Sequence, residues 1–131
     1  MPTIIRKIST PHVEIHREVV HAVSWQIRSG IWSPPTDVFE TDAGYVVRVE
    51  LAGMRESDFE VAYDNNILVI NGIRSEKPEK RAYHQMEIRF GRFTVAVGLS
   101  APVDVERSTA EYSDGFLTVT LPIIKPAEEQ V

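Results

Sequence analysis

The sequence predicts an antiparallel all-β domain, a sandwich or a barrel, behind an N-terminal arm of different character. Three observations predict it. From Thr36 onward apolar residues recur with a period of two, as in "GYVVRVEL", where Tyr45, Val47, Val49 and Leu51 alternate with Val46, Arg48 and Glu50. Two pairs, Asn65-Asn66 and Asp114-Gly115, sit between such runs and tolerate the positive φ that a tight hairpin demands. Eight short runs fit into fewer than ninety residues, the spacing of antiparallel sandwiches and barrels.

Taken in order, residues 1–33 form the arm. Thr10 is a good helix N-cap, Pro11 suits the first turn, and Val20, Val23 and Ile27 fall three and four apart before Gly30. The segment 11–28 therefore reads as an amphipathic helix. An extended reading competes over "HVEIH": Val13 and Ile15 share one face of a strand but lie about 200° apart on a helix. The start signal at Thr10-Pro11 favours the helix. Ser33-Pro34-Pro35 cannot continue it and marks the boundary of the domain, 34–122. Strands are then expected at 36–41, 44–51, 59–64, 67–74, 82–88, 92–99, 109–113 and 116–121. Between two of them "SEKPEKR", 75–81, is charged and holds Pro78, so it reads as a loop long enough to carry the next strand away from its neighbours. The last hairpin sets Phe116, Thr118 and Thr120 on one face and Leu117, Val119 and Leu121 on the other. Residues 123–131 follow as a short tail.

Composition narrows the function. A chain of 131 residues, 43% hydrophobic and 25% charged, suits one soluble globular domain. The net charge of −5 argues against a nucleic-acid partner held by a basic field. The sequence holds no apolar run of about 18 residues or more that could span a bilayer. The N-terminus "MPTIIRKISTPHVEIH" breaks its apolar run after two residues, unlike a secretory signal, and the expected location is the cytoplasm. The chain has no Cys, which removes disulfides, thiolate chemistry and zinc–thiolate sites together. It also lacks a phosphate loop, a nucleophile elbow and a His-Glu-x-x-His pattern, so it reads as no enzyme and as needing no cofactor or metal. His12 and His16 stand four apart and would share a helix face, but without a third ligand nearby they read as solvated side chains.

Four blocks in register carry a resemblance: "PPTDVFETDAGYVVRVELAGM", "FEVAYDNNILVINGIR", "YHQMEIRFGRFTV" and "AEYSDGFLTV". Together they resemble the α-crystallin domain of the small heat-shock proteins, in its bacterial and plant branch. The sharpest part is an A-x-x-x-[ND]-G-x-L signature, matched by Ala110, Asp114, Gly115 and Leu117. The resemblance implies an immunoglobulin-like antiparallel β-sandwich that forms a homodimer by strand exchange. In that arrangement Tyr83, His84, Met86 and Ile88 leave their own sandwich and pair with the partner strand holding Asp37 and Phe39. An exposed edge strand is a template another chain can complete, which agrees. The resemblance also implies an apolar docking groove bordered by Phe59, Val61, Tyr63 and Thr109, although without it the three apolar residues read as core.

This chain departs from the family at three places. It has Val95 where an Arg is usual, and Leu99-Ser100 where Leu-Pro is usual. In its tail, adjacent Ile123 and Ile124 stand in place of an I-x-I anchor; neighbouring strand residues point to opposite faces, so the pair cannot fill two pockets on one side. Val13 and Ile15 have the anchor's spacing at the other end of the chain. The functional expectation is an ATP-independent holdase chaperone that binds partly unfolded proteins and suppresses their aggregation, mostly dimeric, with weak higher assembly through the arm. The competing readings are a monomeric co-chaperone-like adaptor that binds one folded partner, and a sandwich hydrolase or carbohydrate binder.

Overall fold

The computed structural model describes residues 31–125. Seven strands form: β1 (Thr36–Thr41), β2 (Gly44–Glu50), β3 (Phe59–Asp64), β4 (Ile67–Arg74), β5 (Gly91–Gly98), β6 (Thr109–Ser113) and β7 (Phe116–Leu121). All their pairings are antiparallel, in two sheets of order β1-β2-β7-β6 and β3-β4-β5. The alternation read from sequence decides which side chains meet between the sheets. Val47, Val49 and Leu51 from one sheet, with Leu117, Val119 and Leu121, face Val61, Leu68, Ile70 and Phe93 of the other, and all are buried. At roughly 1.5–3 kcal/mol for each large side chain taken fully out of water, this layer is the main stabilising term.

Both asparagines of the β3–β4 turn adopt left-handed backbone, φ 51° at Asn65 and 64° at Asn66, as do Asp114 and Gly115 between β6 and β7 at 53° and 83°. The second turn is also anchored: Leu51 donates its backbone N–H to the Gly115 carbonyl at 2.7 Å. Ala110 and Leu117, the apolar ends of the signature, are buried in the core on either side of that turn.

Two expectations are corrected. Residues 82–88 form no strand; the whole connection 75–90 lacks regular structure, and 81–90 are exposed throughout. Arg74 and Gly91 at its two ends already pair with each other, so the β4–β5 ladder closes without the residues between them. Trp32, assigned to the arm, belongs instead to the sandwich. Its backbone pairs with β5, donating to the Arg92 carbonyl at 3.2 Å and accepting from Thr94 at 3.0 Å, and its ring packs 5.6 Å from that of Phe93. At the other end Ile123 pairs with Val103, which folds the start of the tail onto its own chain. The segment 11–28, with His12, Val13, Ile15, His16 and Trp25, lies outside the described residues.

Tyr63 gives the core a pH limit. Burial holds its hydroxyl above the ordinary tyrosine pKa, the charge of Asp64 adding to the effect, while the hydroxyl donates to Asn66 Oδ1 at 3.0 Å. A group with a raised folded-state pKa keeps its proton longer in the folded than in the unfolded chain, so stability falls as pH rises above about 10. Tyr63→Phe is expected to flatten this alkaline limb relative to wild type, at the cost of about 1 kcal/mol of hydrogen bonding near neutrality. Thermal melts at neutral and alkaline pH check it; parallel curves for the two proteins would contradict the assignment.

Candidate functional site

Strand β1 is one of the two edges of the four-stranded sheet, β6 being the other: one side of β1 pairs with β2 and the other has no strand beside it among the described residues. Its side chains are largely exposed, including Asp37, Phe39 and Val38, the last at 48% of its full area. Phe39 is held upright by Arg48 of β2, whose guanidinium lies 5.3 Å from the ring centroid. Unpaired backbone groups flanked by apolar side chains are what a pairing strand needs.

The connection 75–90 supplies a second apolar surface. Tyr83, Met86 and Ile88 are exposed, Met86 and Ile88 at 63% and 66%, and His84, Met86 and Ile88 stand two apart, on one face of any extended strand. The structure does not bring these residues to Asp37 and Phe39 within one chain. Two clusters hold the connection. At its tip Arg81 donates to Glu76 Oε1 at 2.7 Å and to the Tyr83 hydroxyl at 3.0 Å, and Tyr83 donates to the same Glu76 oxygen at 2.7 Å, which holds the Tyr83 pKa above its ordinary value. At its root Arg74 donates through Nε to the Arg89 carbonyl at 2.8 Å and through Nη1 to the Ala52 carbonyl at 3.4 Å. The same guanidinium covers Trp32 at 4.5 Å and approaches Phe90 at 5.4 Å. Arg74 thus ties the first described residues, the β2–β3 connection and the exit of the 75–90 segment to one point. Between that root and Ile88 lies a cleft of about 600 Å³, lined by Trp32, Pro35, Ala52 and Phe90 among others.

The groove reading is revised by burial. Phe59, Val61 and Tyr63 point into the sandwich and belong to its core, so they cannot offer open side chains to a docking segment. Their alternate neighbours turn the other way because a strand exposes successive side chains to opposite faces. Strands β3 and β6 do approach each other: the Phe59 and Tyr112 rings meet edge to face at 5.2 Å, and Tyr112 donates to the Leu51 carbonyl at 2.6 Å. Thr109, at the start of β6, is half-buried. Among the described residues no three His, Asp or Glu side chains gather as metal ligands would, and no helix is long and apolar enough to cross a membrane. Sequence reasoning passed over Arg74, since an Arg closing a strand reads as an ordinary polar terminus, and grouped Trp32 with Trp25 as apolar surface of the arm.

Comparison with known proteins gives the same domain. A sequence profile described as the Hsp20/alpha crystallin family matches residues 37–131. Small heat shock protein C2 of Rickettsia felis is 37% identical over 91 residues, covering 68% of this chain and 59% of that protein. Heat shock protein 16 of Schizosaccharomyces pombe is 37% identical over 103 residues, 76% of this chain and 72% of the relative. The chain spans about three fifths of the length of the Rickettsia relatives it matches. Among solved structures, heat shock protein 16.0 from Schizosaccharomyces pombe superposes with a TM-score of 0.66 at 33% identity, covering 78% of this chain and 82% of that one. The crystal structure of hspA from Xanthomonas axonopodis gives 0.65 at 29% identity, over 72% and 96% of the two chains. A profile match across most of the sequence, placed on a seven-stranded sandwich with its signature turn in place, establishes that the chain belongs to the Hsp20/alpha crystallin family.

Proposed function

We propose that the protein is an ATP-independent holdase chaperone, not an enzyme, that acts as a homodimer in the cytoplasm. Family membership supports the chaperone class. The observation that carries the dimer is the pairing of two unmet needs in one chain: the free edge of β1, and the exposed 82–88 segment with Tyr83, Met86 and Ile88. Residues 82–88 of one protomer are long enough to lie along β1 of a second, beside Asp37 and Phe39, and the same exchange in reverse closes the pair with twofold symmetry. Chemistry then reduces to mass action. Binding the exposed apolar segments of a partly unfolded client lowers the concentration of its aggregation-prone state without a nucleotide, and a net charge of −5 keeps the complex dispersed. Assembly beyond the dimer rests on the arm, with Val13 and Ile15 as the candidate anchor.

With a heat-labile client at a molar excess of this protein, light scattering on heating is expected to fall several-fold, equally with and without ATP. Unchanged client scattering would refute the holdase reading. A protein that is monomeric by static light scattering and binds only a folded partner would instead be the sandwich adaptor.

A further inference from the structure

The 75–90 connection meets β5 under two separate constraints. One is a side-chain grip: the Arg89 carbonyl accepts from both Nε and Nη2 of Arg74, so one edge of the guanidinium holds a single oxygen. The face of that guanidinium is occupied as well, 4.5 Å from the Trp32 ring centroid and 5.4 Å from that of Phe90, and its remaining nitrogen, Nη1, donates to the Ala52 carbonyl. Trp32 is itself fixed, its indole N–H donating to the Gly91 carbonyl at 3.1 Å. The other constraint lies in the backbone. Gly91 has φ 98°, a conformation that residues with a side chain rarely adopt, so the direction in which the connection enters β5 is built into the chain. Arg74 is half-buried while every residue from 81 to 90 is exposed, and the grip thus falls on backbone that the sandwich leaves in solvent.

We propose that Arg74 is a positioning residue for the strand exchange: by fixing Arg89 and Phe90 it aims residues 82–88 of its own chain at β1 of a second copy. The inference rests on the dimer reading above and names the residue that sets its geometry. Ile88, the last apolar side chain of the pairing segment, immediately precedes the gripped residue. A segment already held at one end loses less backbone freedom on pairing than one that starts from a loose linker, and the saving appears as affinity. Symmetry makes the angle matter. In a twofold exchange each chain both gives 82–88 and receives on β1, so the direction of one relative to the other must be right for both contacts to close. Arg74 bridges the two sides. Arg89 belongs to the giving segment, while Ala52 follows β2 at the end where β1 begins, beside Glu50, whose N–H donates to the Pro35 carbonyl at 3.1 Å. A lysine could not replace it: a point charge with one nitrogen cannot grip Arg89 through two donor atoms, reach Ala52 and stack on Trp32 together.

The test compares the full-length wild type with Arg74→Lys, which keeps the charge, and with Arg74→Ala. Sedimentation over a dilution series gives the dimer dissociation constant, and thermal melts report the fold. Brief trypsin digestion reports the grip, as the initial rate of cleavage after Arg89 relative to that after Arg81, whose own bonds go to Glu76 and Lys77. Both variants are expected to melt cooperatively within about 5 °C of wild type. Their dimer dissociation constants should rise about ten-fold or more, and the cleavage ratio about five-fold or more, because local opening at Arg89 is no longer opposed. An unchanged cleavage ratio would overturn the grip, and wild-type behaviour of Arg74→Lys would overturn it too, since charge alone would then suffice. A ratio that rises while the dissociation constant stays put, or a dimer lost only together with the fold, would overturn the aiming role and leave the dimer reading intact. A wild type that is monomeric throughout the dilution series would instead refute the dimer itself, and the aiming role with it.

Discussion

Deleting residues 82–88 is expected to turn the proposed dimer into a folded monomer. The two halves of that expectation rest on different observations. Folding should survive because Arg74 and Gly91 close β4 and β5 into a ladder regardless of what joins them, and the remaining residues 75–81 and 89–90 still exceed the roughly two to five that a hairpin loop needs. No side chain of the deleted segment belongs to the core cluster. Dimerisation should fail because the deletion takes away both the backbone ladder offered to β1 and the exposed side chains of Met86 and Ile88, each worth about 1.5–3 kcal/mol if buried, and it does so twice in a symmetric pair. An increase of at least about 100-fold in the dissociation constant, roughly 2.7 kcal/mol, follows. Sedimentation at micromolar concentration with a thermal melt alongside reads both halves. A cooperative melt with intact dimers would place the interface elsewhere.

How much of this was legible beforehand varies with the physics involved. The strands of the sandwich were readable because burial on one face writes itself into the sequence with a period of two; Val47, Val49 and Leu51 announce the core by alternation alone. The two turns were readable because positive φ restricts residue choice, and Asn65-Asn66 and Asp114-Gly115 satisfy it. The segment 82–88 alternates as well as any strand, yet alternation reports a capacity for pairing and not the presence of a neighbour. Phe59, Val61 and Tyr63 show a related ambiguity: the same pattern serves a core or the wall of a groove, and only burial separates the two. Arg74 was illegible for another reason. Its role comes from the convergence of Trp32, Ala52 and Arg89, residues up to 57 positions apart in number, and no local pattern encodes such a meeting.

Glycine 72 carries the other large expected effect, and it too depends on tertiary approach. Gly72→Ala is expected to destabilise the fold by about 3 kcal/mol, lowering the melting temperature by roughly 10–20 °C. Gly72 lies in β4 between Phe59 of β3 and Phe93 of β5, in a row whose two aromatic side chains are both buried. A Cβ there would stand 2.2 Å from the Asp58 carbonyl oxygen and 2.8 Å from both Cα and Cβ of Phe59. Those atoms cannot step aside cheaply. Asp58 ends the 3-10 turn Glu56–Asp58, where its N–H donates to the Arg55 carbonyl at 2.9 Å and its carboxylate accepts from the Arg55 N–H at 2.8 Å. Backbone conformation is not the difficulty, because Gly72 has no positive φ. That separates it from Gly115, where φ is 83°, the nearest atom to an added Cβ is 3.3 Å away, and the left-handed backbone costs a substituted residue about 1–2 kcal/mol. Gly98 supplies the control within the same sheet: it closes β5 with open space around any added Cβ and no positive φ, so Gly98→Ala should be neutral or slightly stabilising, since glycine in a strand loses about 0.5–1 kcal/mol to backbone entropy. Paired thermal melts of the two alanine variants measure the close approach of β3 to β4 directly, and equal melting temperatures would rule out the steric account.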